Sequence, residues 1–502
     1  MSVLENIQPT EVMRYFEQIA QIPHGSRNTK AISDYLVLFA KSHDLKYRQD
    51  NMNNVIIWKD ASEGSEDKEP VIIQGHMDMV CEVNPANTKI DMSKDPIDLY
   101  VEGDEIRAKD TTLGGDDGIA IAMALAILAD EELKHPPIDA IFTVDEEIGM
   151  LGAAGIDISD VKGHTMLNID SEDEGIFTVS CAGGVVAKCV LPINNTKVQG
   201  PVMQVMVSGL TGGHSGVEII KNRANACVLL GRVLQAISER FDIRIRELKG
   251  GSKDNAIPIN AEAQIVLAGL REDQTEDLLS RAVQIASDIT KELKNEYSST
   301  DPKMMIVCRP VFKSIQAKDV KGKFIFDTVA SDAATSSKIL YMLNCLPNGI
   351  QRMSPDNNDF VRTSLNMGIL EKNDKCVITT HCLRSSVASE KENLKMRLRT
   401  GMKAVGGNVI FHGEYPGWEY REQSPIRDLM TEVYKEQYNE EPKIEAIHAG
   451  VECGFFADKI KDIDCISFGP DLKNIHTFNE SMNIPSVQRV YKMLLEVIAR
   501  LA

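Results

Sequence analysis

The chain contains no CxxC pair and no uncharged apolar run near the roughly 18 residues that a membrane span requires. Its 10 cysteines stand singly. A chain of 502 residues has no need of disulfide staples, so these cysteines read as reduced, mostly buried thiols. Positive charge is also short: 55 Lys and Arg against 74 Asp and Glu leave a formal net charge of −19. That balance excludes an electrostatic grip on nucleic acid or on an anionic membrane surface, and it suits a protein that concentrates cations. The opening MSVLENIQPTEVMRYFEQIA lacks the basic start and short apolar run of a secretory signal, so the expected location is cytoplasmic.

What is present begins with length. A chain of 502 residues with a 43% hydrophobic fraction exceeds the size at which one core keeps growing, and two or more domains are expected. Residues 70–80, PVIIQGHMDMV, form a short apolar run that ends in polar side chains, whereas 119–133, IAIAMALAILADEEL, is long enough to prefer helix. Two further runs, 138–155 and 163–175, each read as a buried strand emptying into an acidic loop. Strands alternating with helices predict an α/β domain with a mostly parallel central sheet, and such sheets gather ligands at the carboxyl ends of their strands. Residues 76–78, 146–147 and 170 are therefore expected on one edge.

The pattern changes near residue 186. Strand 201–208, helix 222–240, strands 242–248 and 261–269 and helix 274–297 are expected there, with a similar order repeated from MMIVCRPVF to MKAVGG. From YPGWEYREQSPI onward the first style returns. We therefore expect a catalytic domain of residues 1–186 and 412–502, interrupted at 187–411 by an α+β domain with two similar halves.

The chemistry lies in the first domain. His76 and Asp78 in GHMDMV are two apart, so a strand places both on one face. Asp116 and Asp117 follow in TLGGDDGIA at the start of a helix, Glu146 and Glu147 close the next strand, Asp170 closes another, and NIHTFNES supplies His476 and Glu480. Singly, adjacent acids at a helix start are caps or dipole partners, and an acidic pair after a strand is a solvated loop. Together, acids that close several consecutive apolar strands repel one another unless a cation lies between them. Two histidines, three carboxylates and a spare glutamate suffice for two divalent ions with a bridging carboxylate and a base for water.

The motifs GHMDMV, TLGGDDGIA, DEEIGMLGA, NIDSED and NIHTFNES resemble, in order, those of the co-catalytic zinc peptidases that include aminoacylases, carboxypeptidase G-type enzymes and bacterial dipeptidases. HAGVECGFF, YPGWEY and the length of the insert are most similar to the aminoacyl-histidine dipeptidases within that family. The resemblance implies hydrolysis of dipeptides with two Zn2+ per chain, for which Co2+ or Mn2+ can substitute. It implies that His76 and Asp170 hold one ion, Glu147 and His476 the other, and that Asp116 bridges them, with Asp117 structural. Asp78 would orient His76, and Glu146 would be the general base. In the inserted lid, His214 of TGGHSG would donate to the oxyanion, Asn255 would contact substrate, and Arg384 of HCLRSS would pair with the peptide carboxylate. His448 and Glu452 would line the pocket. The doubled lid would take the place of the partner subunit that supplies the histidine in smaller dimeric relatives, so the chain is expected as a monomer or homodimer. An aminoacylase or carboxypeptidase on the same site, or a non-catalytic peptide-binding relative, are the alternatives; the role of Glu480 is left open.

Overall fold

The apolar runs Val71–His76, Ile138–Thr143, Thr165–Asn168 and Asp464–Ser467 are the four central parallel strands of an eight-stranded sheet. The computed structural model describes residues 2–87, 89–269, 275–312, 327–355 and 359–502. Antiparallel Val55–Lys59 and Lys46–Gln49 extend one side of the sheet, and Ile176–Cys181 with Lys443–Ile447 extend the other. Alternation along the strands feeds two cores. Val71, Ile73 and Leu167 pack with Phe16, Ile121 and Val490, while Ile72, Ile141 and Met166 pack with Ala153, Cys453 and Phe456. Helix Gly115–Ala129 is apolar on every side, and each residue from Ile119 to Leu128 is buried. A helix of that kind belongs inside, which fixes the position of the acids at its start.

These elements belong to one of two compact units, made of Met1–Cys181, Gly417–Ile447 and Val451–Ala502. The other unit comprises Ala182–Pro416 and His448–Gly450. Positions 186/187 and 411/412, where the sequence pattern changes, fall inside strands Gly183–Pro192 and Asn408–Tyr415. Both strands are continuous, paired elements of the second unit, so the composition shift falls a few residues inside that unit at either end.

The second unit is built on a fully antiparallel sheet with central order Met305–Pro310, Val202–Ser208, Ala261–Leu267, Ile243–Gly250, Val361–Lys372, Cys376–Ser385, Gly183–Pro192 and Asn408–Tyr415. The expected helix 222–240 is Ala226–Ser238, starting late because the Asn225 side chain accepts from the amides of Cys227 and Val228 and caps it there. The helix expected from 274 is Thr275–Glu296; residue 274 lies outside the described residues.

The sheet order shows the duplication and corrects its boundary. In one half, Val202–Ser208, helix Ala226–Ser238, Ile243–Gly250, Ala261–Leu267, helix Thr275–Glu296 and Met305–Pro310 follow in sequence. The other half uses helix Ala333–Cys345, Val361–Lys372, Cys376–Ser385, helix Ala388–Ala404 and Asn408–Tyr415 in the same order, but its first strand is Gly183–Pro192. The run MMIVCRPVF, expected to open the second copy, instead closes the first by pairing with Val202–Ser208. One copy is thus threaded between the first strand and first helix of the other, and the halves meet where Lys249 and Gly250 pair with Glu371 and Leu370.

Candidate active site

Three parallel strands deliver the first residues of a charged cluster. His76 is the last residue of its strand, Glu146 and Glu147 follow Ile138–Thr143, and Asp170 follows Thr165–Asn168. His76 is buried, and its Nε2 lies 3.1 Å from Asp116 Oδ1 and 3.5 Å from Asp170 Oδ1. His476 Nε2 lies 3.2 Å from Asp116 Oδ2 and 3.0 Å from Glu147 Oε1. The two oxygens of Asp116 therefore face two different histidines. Among the described residues, His76–Asp116–Asp170 and Asp116–Glu147–His476 are groups able to hold a metal ion, as is His76–Glu146–Glu147. Donor separations of 3.0–3.5 Å match the edge of about 3.3 Å set by ligands at about 2.0–2.1 Å around a tetrahedral cation. Imidazole nitrogens mixed with carboxylate oxygens suit zinc and its neighbours among the divalent ions.

The electrostatics carry the same message. The imidazolium of His76 is disfavoured by burial, yet Asp170, Asp116 and Asp78 raise its pKa well above the ordinary value. His476 is lifted to about 10 by its hydrogen bonds with Asp116 and Glu147, against the opposing effect of burial. Burial resists ionisation of Asp116, but the two histidines pull its pKa below the usual range. The Glu146 carboxyl is pushed well above its ordinary value by burial, with Asp170, Glu452 and Glu147 adding repulsion and His76 opposing. Protons held on these histidines and acids are what a bound cation would displace.

Asp78 meets His76 through its main chain as well as its carboxylate. The strand ends at His76, so Asp78 does not share its face; the His76 Nδ1–H donates to the Asp78 main-chain oxygen at 2.9 Å. Because a carbonyl only accepts, Nδ1 keeps its proton, and Nε2 is the nitrogen that would give up its own to a cation in the cluster. The Asp78 carboxylate, 3.6 Å from His76 Nδ1, also accepts from Ser26 Oγ and from the amides of Glu146 and Glu147, at 2.8, 2.9 and 3.4 Å. It holds the loop that presents both glutamates. Asp117 is buried and accepts from the His76 amide at 3.1 Å. Gly75 is required beside it, since a Cβ there would meet Asp117 Oδ2 at 2.6 Å.

Glu480, for which the sequence offered no role, accepts from four successive amides, those of Leu113, Gly114, Gly115 and Asp116, at 2.8, 3.1, 2.8 and 3.4 Å. It fixes the turn that aims Asp116. Burial raises its carboxyl to about 7. No local pattern identifies one glutamate among 74 acids as the acceptor for a turn 364 residues away.

The second unit has a cluster of its own. His214 pairs with Ala256 across a two-residue ladder, and the Ser215 amide donates to the Asn255 carbonyl at 2.8 Å, with Asn255 exposed. His214 Nδ1 accepts from the amides of Gly216 and Val217 at 3.3 and 3.2 Å, so its ring proton is on Nε2. Burial and Arg384 lower its pKa, with Glu218 opposing, and keep it neutral. Arg384 is buried, donates to the Tyr415 hydroxyl at 2.9 Å, and leaves Nε without a hydrogen-bond partner among the described residues. His448 Nε2 lies 2.8 Å from Ser364 Oγ, its Nδ1 is likewise unpartnered, and burial together with Arg384 drives its pKa down to about 3. These groups converge on Gly216, where a Cβ would meet His448 O at 2.3 Å, Arg384 Nε at 3.0 Å and His214 Cε1 at 3.0 Å. Glu452 departs from expectation: it belongs to the first unit, has 0% exposure, and can line no open pocket.

A sheet-edge cluster of imidazoles and carboxylates that fits divalent cations defines a class, the metal-dependent hydrolases. The chain belongs to peptidase family M20/M25/M40, whose model matches residues 72–500. It is similar to the cytosol non-specific dipeptidase of Escherichia coli (strain K12), at 34% identity over 506 residues covering 99% of each protein. The crystal structure of aminoacylhistidine dipeptidase from Vibrio alginolyticus matches with a TM-score of 0.91 and 33% identity, covering 99% of this chain and 98% of that one. Aminopeptidase PepT from Bacillus cereus ATCC 10987 shares the fold at a TM-score of 0.54 and 13% identity, with 99% of both chains covered. The family and the fold that the motifs implied are those of the chain. Among the described residues, no helix is long and apolar enough to cross a membrane.

Proposed function

We propose that the chain is a cytosolic dipeptidase that hydrolyses aminoacyl-histidine and other dipeptides with two zinc ions. His76 and Asp170 would hold one ion and Glu147 and His476 the other, with Asp116 as the ligand they would share. The observation that carries this reading is the placement of Asp116, one oxygen toward His76 and the other toward His476. The names of the Escherichia coli and Vibrio alginolyticus relatives support the substrate class, and the first also supports the compartment.

Bound cations supply Lewis-acid chemistry, lowering the pKa of water and polarising a carbonyl. Glu146 takes a proton from the attacking water and returns it to the leaving amine, a task suited to a carboxyl whose proton affinity is raised by burial. The Nε2–H of neutral His214 donates to the oxyanion, and Arg384, with a free Nε–H, pairs with the substrate carboxylate. Asn255 and His448 complete the substrate contacts, and a single chain suffices for activity. Zinc-loaded protein assayed against a dipeptide panel with N-acetylated controls tests the reading. Cleavage of free dipeptides supports it, whereas preference for the N-acylated controls would indicate an aminoacylase or carboxypeptidase, and no turnover a binding protein.

A further inference from the structure

Glu452 is fully buried and charged by type, and the proposed reaction gives it no task. Its Oε2 accepts from Gln74 Nε2 at 2.6 Å and from Thr143 Oγ1 at 2.5 Å. Gln74 in turn accepts from Asn168 Nδ2 at 2.6 Å and donates to Thr143 Oγ1 at 3.2 Å. All four side chains have exposures of 0–1%. Their positions are not arbitrary. Gln74 lies two residues before His76, Thr143 three before Glu146, and Asn168 two before Asp170, each near the end of a different central strand. In the sheet register Gln74 pairs with Asn168, and His76 with Thr143.

We propose that Glu452 is a positioning residue that locks the ends of these three strands together and so sets the spacing of His76, Glu146 and Asp170. The inference rests on the metal-centre reading and adds a determinant of its geometry. Parallel strands are tied by slanted main-chain bonds. At these strand ends, main-chain bonds from the Met77 and Ile169 amides still reach Thr143 O and Gln74 O at 2.8 and 3.1 Å; Glu146 and Asp170 follow on loops, and side-chain bonds add a further tie between one strand end and the next. A carboxyl oxygen that receives two donors from neighbouring strands does this in a dry setting, where hydrogen bonds are strong and a missing partner is costly. Burial raises the carboxyl to about 7, and Oε1 has no hydrogen-bond partner among the described residues, so the acceptor oxygen facing Gln74 and Thr143 is the working atom.

The test compares zinc affinity, by competition with a chromophoric chelator, in wild type, Glu452→Gln and Glu452→Leu, with kcat, KM and the melting temperature of the metal-free proteins read in parallel. Gln keeps an acceptor oxygen and should stay close to wild type. Leu removes it and should weaken zinc binding by about 10- to 100-fold, the usual effect of losing a group that orients ligands. The loss in Leu should fall on kcat rather than KM. If Glu452→Leu does not fold, Gln74→Met, which takes away the donor on the His76 strand, should weaken zinc in the same range. A lower metal-free melting temperature with unchanged zinc affinity would show a merely structural residue and overturn the proposal, as would a Gln variant impaired as far as Leu. Wild type that takes up no zinc overturns the metal-centre reading and this inference with it. Zinc bound equally by wild type and the folded Leu or Met variant overturns the inference alone.

Discussion

The two units solve opposite electrostatic problems with different sheets. In the first, parallel strands that stop together bring carboxylates and two histidines within about 3 Å of one another, an arrangement that binds protons until a cation replaces them. In the second, an antiparallel sheet holds buried Arg384, buried neutral His448 and half-buried neutral His214 around Gly216, with donors left over among the described residues and Glu218 beside His214. One cluster is rich in carboxylates and the other in donors.

The contrast breaks most severely if the cation cluster loses its shared ligand. Asp116→Ala should lose bound metal and all measurable turnover, because two unshielded cations about 3.5–4 Å apart repel strongly. Asp117→Ala, which removes only an acceptor for the His76 amide, should retain more metal. Elemental analysis of both variants decides it, and equal loss would mean that the bridge is misassigned. Glu146→Gln should keep its metal and lower kcat by about 10²- to 10⁴-fold, the usual contribution of a general base. Metal and activity must be measured on one sample, since loss of metal would make Glu146 a ligand.

The motifs that carry these two predictions were legible because each polar residue closes an apolar strand or opens an apolar helix. His76, Asp116, Glu147, Asp170 and His476 were marked by local contrast. Glu480 and Glu452 were not, since their roles exist only once distant strands are adjacent, and neither breaks a pattern in its own neighbourhood. In HAGVECG, His448 and Glu452 stand four apart, yet one joins each unit. The doubled sheet was visible as a repeat, but its true first strand, Gly183–Pro192, lies 141 residues ahead of the helix it belongs with, where no periodicity can connect them.

The donor cluster should break more gently. His214→Ala should cut kcat by about 10²-fold or more with metal content unchanged, as expected for removal of one oxyanion donor. Steady-state kinetics beside elemental analysis checks this, and a loss of metal would place His214 in the wrong role. Arg384→Met should act mainly on KM, raising it by about 10- to 100-fold for loss of a charge-assisted bond worth about 1.5–3 kcal/mol. An equal loss against a dipeptide whose carboxylate is amidated would show that Arg384 does not read that group.

The smallest effect concerns pH. Glu452 and Glu480 are held at about 7 rather than 4.5 by burial, so between these values the folded metal-free chain binds more protons than the unfolded chain. Stability contributed by these groups is therefore present at low pH and lost as pH rises toward 7. His476, raised from 6.5 to about 10, acts with the same sign above 6.5. His448 and His214, whose pKa values burial and Arg384 lower, act in the opposite sense below 6.5, so the check is a difference: chelator-treated Glu480→Gln should lose less melting temperature between pH 5 and pH 8 than wild type. Stabilisation by zinc should grow over the same range, because its ligands must be deprotonated. An equal change in Glu480→Gln and wild type would contradict this account of the cluster.

The central claim, that Asp116 joins two cations rather than flanking one, is tested most directly by anomalous diffraction at the zinc edge from crystals of the zinc-loaded protein. Two peaks about 3.5–4 Å apart, one beside His76 and Asp170 and one beside Glu147 and His476, are expected. A single peak held by His76, Glu146 and Glu147 would contradict it, since the base would then be a ligand and the bridge would have nothing to join.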